Sequence, residues 1–345
     1  MARMLSRPCV SVVIATHNCD RHLSQAIDSV LAQTLPDWEL LVIDDGSADT
    51  TPAIVQQYSH RIPDSQLRYV RQRRQGLAVA LNHGLQLARG EAIACLNPGD
   101  WFVPTKLERQ WAILTAKPEI GLVYSGWQRV DVGGKKIVNV MPWHVWSQLD
   151  LAGWLQQRPI WLSALMVRRA WLLRVDGFDP QLPGAAVLDW VLRLAVLGCR
   201  TEWLREMTVY GRPNAGVISD AVVQARSLTT VIDQFFARTD LPATVVRQAG
   251  QTRFTTWTWL AWNLYRTGHP TQMVIYLQQT WYNSPHPPVD TIITWVESFA
   301  EFARSWGEPL DTERLCGSPE WQALMQWCMA TASRPSRGIE TSLLG

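Results

Sequence analysis

Strand-type and helix-type patterns alternate four times within about the first hundred residues, and no other feature constrains the fold as much. The run CVSVVIAT is continuous, apolar and β-branched, as in a strand covered on both faces of a parallel sheet. RHLSQAIDSVLAQT follows, with Leu23, Ala26, Ile27, Val30 and Leu31 at helical spacing, until Pro36 interrupts. WELLVIDD supplies a second buried strand, GSADTTPAIVQQYSH opens as a turn and continues as a helix, and LRYVRQ is a short third strand. GLAVALNHGLQLA then reads as an amphipathic helix and EAIACLN as a fourth strand. This order predicts a doubly wound α/β sheet, mostly parallel, with helices on both faces. Ligands of such sheets lie beyond the carboxyl ends of the strands, where the strand order reverses. The loops THN, DDGSAD, RQRRQG and NPGD are therefore the expected site, and all are polar.

From Lys106 to Gly211 the pattern is mixed. IGLVYSGWQRVD and KKIVNVMP read as paired strands joined by the turn DVGGKK. IWLSALMVRRAWLLRVDGFDP predicts a strand and then a helix that stops at Gly177. LDWVLRLAVLGCR is a helix closed by Gly198 as a left-handed cap, and TEWLREMTVYGRP is another strand. Beyond Ser219 the pattern turns to long helices. Trp259, Trp262 and Tyr265 recur at threefold spacing, followed by Gly268 and a second apolar helix, a helix–turn–helix of the tetratricopeptide kind. One such unit predicts an accessory helical domain rather than a solenoid. The tail TASRPSRGIETSLLG is expected to fray.

Lys and Arg number 32 against 30 Asp and Glu, a formal charge of +2, which gives no electrostatic basis for nucleic acid as the main partner. The 19 tryptophans are read as core packing ahead of a carbohydrate-stacking surface. Six cysteines are scattered without a C-x-x-C pair, which fits reduced, mostly buried thiols. The apolar run Val10 to Ala15 is too short for a signal-peptide core or a membrane span, so the expected location is cytoplasmic, with room for peripheral membrane attachment.

The segment VIDDGSADTT sets two carboxylates at a strand end, followed by Gly46 and Ser47. A carboxylate there can accept the ring N–H of a uracil-like base or the hydroxyls of a ribose. Equally, Asp44 or Asp45 can cap the helix that follows.

The segment PCVSVVIATHNCDRHLSQAIDSVLAQTLPDWELLVIDDGSADTT resembles the opening of family 2 glycosyltransferases of the GT-A fold. GLAVALNHGLQLARGEAIACLNPGDWFVPTKLE continues the resemblance, and MVRRAWLLRVDGFDPQLPGAAVLDWVLRLAVLG is similar to the family's acceptor-side segment. The resemblance covers about residues 8–220. It implies a Rossmann-like GT-A domain over 1–220, with a nucleotide-binding half (about 8–105) and an acceptor half (about 106–220), followed by a helical domain over 221–345. It further implies a nucleotide-sugar donor, UDP-type favoured, a glycan or lipid acceptor, a divalent cation (Mn or Mg), and direct displacement with inversion.

Carried over position by position, the resemblance puts Ala15, Thr16 and His17 at the end of the first strand and Asp44 and Asp45 at the base-binding step. Gly76 and Asn82 fall on the wall of that pocket. The family's D-x-D-D motif corresponds to Asn97, Pro98, Gly99 and Asp100. Hard divalent ions want several oxygen ligands, preferably carboxylates. Only Asp100 remains as a metal ligand, and a capping role at VPTKLE is weighed ahead of it. The family's E-D pair, which supplies the catalytic base, corresponds to Ala186 and Val187, leaving Asp189 as the nearest candidate base. In YGRPNAG, Arg212 is kept to neutralise diphosphate charge and Asn214 replaces a histidine. Arg71, Arg73 and Arg74 are further cationic candidates, or a solvated surface cluster. Two functions follow: a working glycosyltransferase, or a catalytically silent relative that binds nucleotide or protein.

Overall fold

A computed structural model of the protein describes residues 7–156, 160–212 and 220–332, so that Asn214 and residues 333–345 of the tail lie outside the described residues. The four alternations are realised: β1 (Val10–Thr16), α1 (Asp20–Leu31), β2 (Trp38–Asp44), α2 (Thr51–Ser59), β3 (Leu67–Arg71), α3 (Leu77–Leu87) and β4 (Ala92–Cys95). Every residue of β1, β2 and β4 is buried, as expected of strands covered on both faces. These strands run parallel in the order β3-β2-β1-β4. The chain steps outward from β1 to β3 and then crosses back to β4, so the order reverses between β1 and β4.

The other half of the sheet mixes directions. It adds β5 (Trp101–Phe102), α4 (Lys106–Ala116), β6 (Ile120–Val130), β7 (Lys136–Val140), α5 (Leu151–Gln156), β8 (Leu165–Arg168), α6 (Arg169–Leu172), α7 (Ala186–Val196) and β9 (Arg200–Gly211). β8 pairs antiparallel with both β4 and β6, and β9 runs parallel to β6. β6 and β7 form the predicted antiparallel pair.

The helix expected to run to Gly177 is one turn, α6, that ends at Leu172. Tertiary contacts override the local pattern here. The Asn82 side-chain amide of α3 donates to the Phe178 carbonyl (2.7 Å) and its carbonyl accepts from the Phe178 amide (2.8 Å), which turns the chain away from a helical path. Gly177 itself has φ +67°. The left-handed cap predicted at Gly198 is present, with φ +82°. Gly198 N donates to Ala195 O and Cys199 N to Leu194 O, each at 3.0 Å, the double bond of a Schellman motif.

The described chain divides into two compact units, one running to Ala249 and rejoined by Ser305–Gly307, the other comprising Gly250–Arg304 and the chain from Glu308. The expected boundary at 220/221 therefore moves. The helix α8 (Ala221–Phe236) buries Ala225, Leu228, Val231, Ile232 and Phe235, packs against α7, and belongs with the sheet together with α9 (Ala243–Val246). The second unit holds α10 (Ala249–Arg266), α11 (Pro270–Asn283), α12 (Pro288–Ser305), α13 (Thr312–Gly317) and α14 (Pro319–Ala332). Gly268 makes the predicted turn with φ +83°, and Trp257, Trp259, Trp262, Trp295 and Trp321 are buried, as the packing reading requires. No helix among the described residues is long and apolar enough to cross a membrane. All six cysteines are free thiols.

Candidate nucleotide-sugar site

The loops after β1, β2, β3 and β4 gather at the carboxyl ends of the strands, beside the reversal point. Register sets Thr16 opposite Asp44, and Asp44 opposite Arg71. Asn18 is the one non-glycine residue with positive φ (49°) among the described residues. Its backbone amide donates to Ser47 Oγ (3.0 Å) and its side-chain oxygen accepts from Ala48 N (2.8 Å), tying the β1 loop to the β2 loop. His17 Nδ1 donates to Asp45 O at 3.0 Å while its Nε2 accepts from Asn18 Nδ2, a network that selects the Nδ1–H tautomer. Ala15 and Thr16 are buried beneath these loops, and Thr16 Oγ1 has no hydrogen-bond partner.

Neither Asp44 nor Asp45 caps α2. Asp49 takes that place, its Oδ1 accepting from Thr51 N at 3.0 Å. Asp44 is fully buried and accepts from Ser47 N (2.8 Å) and the Tyr69 hydroxyl (2.6 Å), with Arg71 Nε at 3.7 Å. Asp45 Oδ1 accepts from Gln72 Nε2 and Gln75 N, and Oδ2 from Gly76 N, all at 2.8 Å. An ionised carboxylate offers about four acceptor positions, so Asp45 keeps one on Oδ2. Gly76 is thus a donor to Asp45, at φ +96°. Arg71 also donates to Ser47 O (2.7 Å), whereas Arg73 and Arg74 are exposed.

Asp100 is 2 % exposed and does not cap α4, whose N-cap is Thr105. Its Oδ2 accepts from the Ser163 hydroxyl (2.6 Å), the Trp161 indole (2.8 Å) and Asn97 Nδ2 (3.2 Å). Its Oδ1 accepts from Arg212 N at 3.2 Å. Burial pushes this carboxyl up to about 6, against the lowering effect of those hydrogen bonds. Asn97 is therefore a brace for Asp100, held in turn by its own amide donating to Ser163 Oγ (3.0 Å).

This donor set does not fit a divalent cation. Four protein donors already surround the one carboxylate, Asn97 turns its N–H toward it, and Gly99 has no side chain. Among the described residues no group of three His, Cys, Asp or Glu side chains gathers to hold a metal. The sequence expectation of Asp100 as metal ligand is therefore one that these contacts do not favour.

Arg212 lies against the same cluster. Its NH1 donates to Gly99 O (3.1 Å) and NH2 to Gln25 Oε1 of α1 (2.8 Å), and its guanidinium stacks over Trp101 at 4.5 Å. Nε has no hydrogen-bond partner among the described residues, and the residue is 9 % exposed.

Two further predicted residues are held by partners outside the β1 to β4 loops. Asn82 spends both ends of its amide on Phe178 and is a structural clamp. Asp189 lies in the first turn of α7, bonded through Oδ2 to Arg193 Nε (2.8 Å) and NH2 (2.7 Å). Ala186 and Val187 occupy the start of the same turn, half-buried. Sequence reasoning missed Gln72, Gln75, Tyr69, Trp161, Ser163 and Gln25. In the loop RQRRQG it is the glutamines and the backbone, rather than the arginines, that make the contacts to Asp45.

Residues 11–162 match the family described as Glycosyl transferase family 2. Chondroitin synthase of Escherichia coli is 28% identical over 191 residues, covering 55% of this chain and 27% of that protein. The crystal structure of S. aureus TarS 1-349 in complex with UDP-GlcNAc superposes with a TM-score of 0.62 at 16% identity, over 87% of this chain and 92% of that one. The mannosyltransferase PcManGT from Pyrobaculum calidifontis, in complex with GDP-Man and Mn2+, superposes with a TM-score of 0.60 at 19% identity, over 94% of this chain and 87% of that one. Residues 11–162 are thus similar to family 2 glycosyltransferases, and the sheet has the GT-A fold of these neighbours. It spans about a quarter to a half of the length of the curated relatives it matches.

Proposed function

We propose that this chain is a glycosyltransferase that moves a sugar from a UDP-type donor to a hydroxyl acceptor on a glycan or lipid. The observation that carries the reading is the polar mouth at the β1/β4 reversal, where Asp45 keeps an open acceptor position and Thr16 Oγ1 and Arg212 Nε are buried without partners. Buried polar groups are almost always satisfied, and a nucleotide supplies the missing partners. Asp45 accepts from the base or ribose, and the diphosphate faces Arg212. The neighbours of similar fold that hold UDP-GlcNAc and GDP-Man support a donor of this class. A cytoplasmic location belongs to the same proposal.

In the transfer the acceptor oxygen attacks the anomeric carbon, the bond from that carbon to the diphosphate breaks, and the hydroxyl proton passes to a base. Asp189 is the proposed base: Oδ2 is held by Arg193, and Oδ1 carries no bond from a described residue. The test is UDP release from UDP-GlcNAc by the parent and by Asp189→Asn. The proposal expects a loss on the order of 100-fold, and equal release by both would remove Asp189 from the role.

A second reading, a catalytically silent nucleotide- or protein-binding subunit, is favoured by Ala186 and Val187 standing where the family's acids occur. It predicts UDP binding without any donor turnover by the parent.

A further inference from the structure

The cluster around Asp100 assigns the diphosphate a partner other than a metal. Resting on the nucleotide-sugar reading above, we propose that Arg212 holds the donor's diphosphate by direct hydrogen bonds and charge, and that the site works without a divalent cation. Three observations converge on this. The carboxylate that would hold a cation is enclosed by Ser163, Trp161, Asn97 and the Arg212 backbone, so an ion would have to break those bonds to enter.

The Arg212 guanidinium, by contrast, has no carboxylate bonded to its side chain among the described residues. Its bonded partners are the neutral oxygens of Gly99 and Gln25, and its Nε is orphaned although the residue is nine-tenths buried. A guanidinium carries five N–H donors. Two are used by described residues, which leaves three for phosphate oxygens, in the fork geometry that phosphate favours.

Its placement is fixed from several sides. Trp101 stacks on the guanidinium at 4.5 Å, and Trp101 is itself stacked on Tyr210 at 4.9 Å. Gln25 ties NH2 to α1, whose first turn follows the β1 loop. A preorganised cation at this point neutralises the leaving diphosphate with no ion to recruit, because its orientation is paid for in folding. Asp100 is then a positioning residue. It holds the Arg212 backbone while its own charge is shielded by Trp161 and Ser163.

The test titrates the full chain with UDP and with uridine by calorimetry, in EDTA and in saturating MnCl2, for the parent, Arg212→Gln and Arg212→Lys. Mn2+ is also titrated into the chain alone and followed by electron paramagnetic resonance. The proposal predicts UDP affinity within about twofold with and without Mn2+, and no bound Mn2+. It predicts at least tenfold weaker UDP binding in Arg212→Gln, partial recovery in Arg212→Lys, and uridine affinity unchanged in both variants. UDP binding that requires Mn2+, or Mn2+ retained by the chain, would overturn it. So would an equal loss of uridine and UDP in Arg212→Gln, which would mark a structural role. Absence of both UDP and uridine binding in the parent would contradict the nucleotide-sugar reading itself and the proposal with it.

Discussion

Burial holds the Asp100 carboxyl up at about 6, so this residue is a liability to the fold at neutral pH as well as a hub. The folded value lies above the ordinary value of about 3.9, so folding favours the protonated form. Its stabilising contribution is complete below about pH 4 and is lost as pH rises through about 6, worth up to about 3 kcal/mol at roughly 1.4 kcal/mol per unit. Urea unfolding of the parent and Asp100→Asn at about pH 4 and about pH 6.5 checks this. The parent should lose more stability across the interval than the variant, and identical pH dependence in the two would refute the assignment. The sequence marked Asp100 as the lone acid of its loop but not what surrounds it. Trp161 and Ser163 lie more than sixty residues away, and only the antiparallel pairing of β4 with β8 brings their segment beside Asn97.

At the scale of elements, local patterning carried far. The four alternating strands and helices, the β6/β7 pair and the α7 cap all follow from apolar periodicity, turn residues and glycine. The failure at α6 is equally physical: a helical pattern yields where Asn82 captures the Phe178 backbone from another element. Two glycines report the difference. Gly198 and Gly177 both have positive φ, but a Cβ at Gly198 meets nothing within 4 Å, whereas one at Gly177 collides with Asn82 Oδ1. Gly198→Ala should therefore cost only the left-handed penalty, about 1–2 kcal/mol. Gly177→Ala adds the loss of the two part-buried Asn82–Phe178 hydrogen bonds and should cost at least about 2 kcal/mol more. Thermal or urea unfolding of the two variants gives the order, and a Gly198→Ala cost equal to or above that of Gly177→Ala would contradict this account of the clamp.

Over the whole molecule, the strand reversal was legible because β1, β2 and β4 are buried on both faces and so betray themselves as apolar runs. The unit boundary was not, because α8 looks like the helices after it and differs only in packing against α7. The site was legible as a set of loops but not as chemistry. Asp44, Asp45, Asp100 and Asp189 appear in the sequence as free acids, yet each spends acceptor positions on partners that only the fold supplies. The central claim is that a crevice shaped for a nucleotide-sugar has replaced its metal chemistry with donors from its own chain. A crystal soaked in UDP-GlcNAc and MnCl2, with anomalous data collected at the manganese edge, tests this most directly. The account predicts the nucleotide at the β1/β4 mouth, its diphosphate on Arg212, and no manganese peak beside Asp100. A manganese ion bridging Asp100 and the phosphates, or a nucleotide bound away from Asp45, would contradict it.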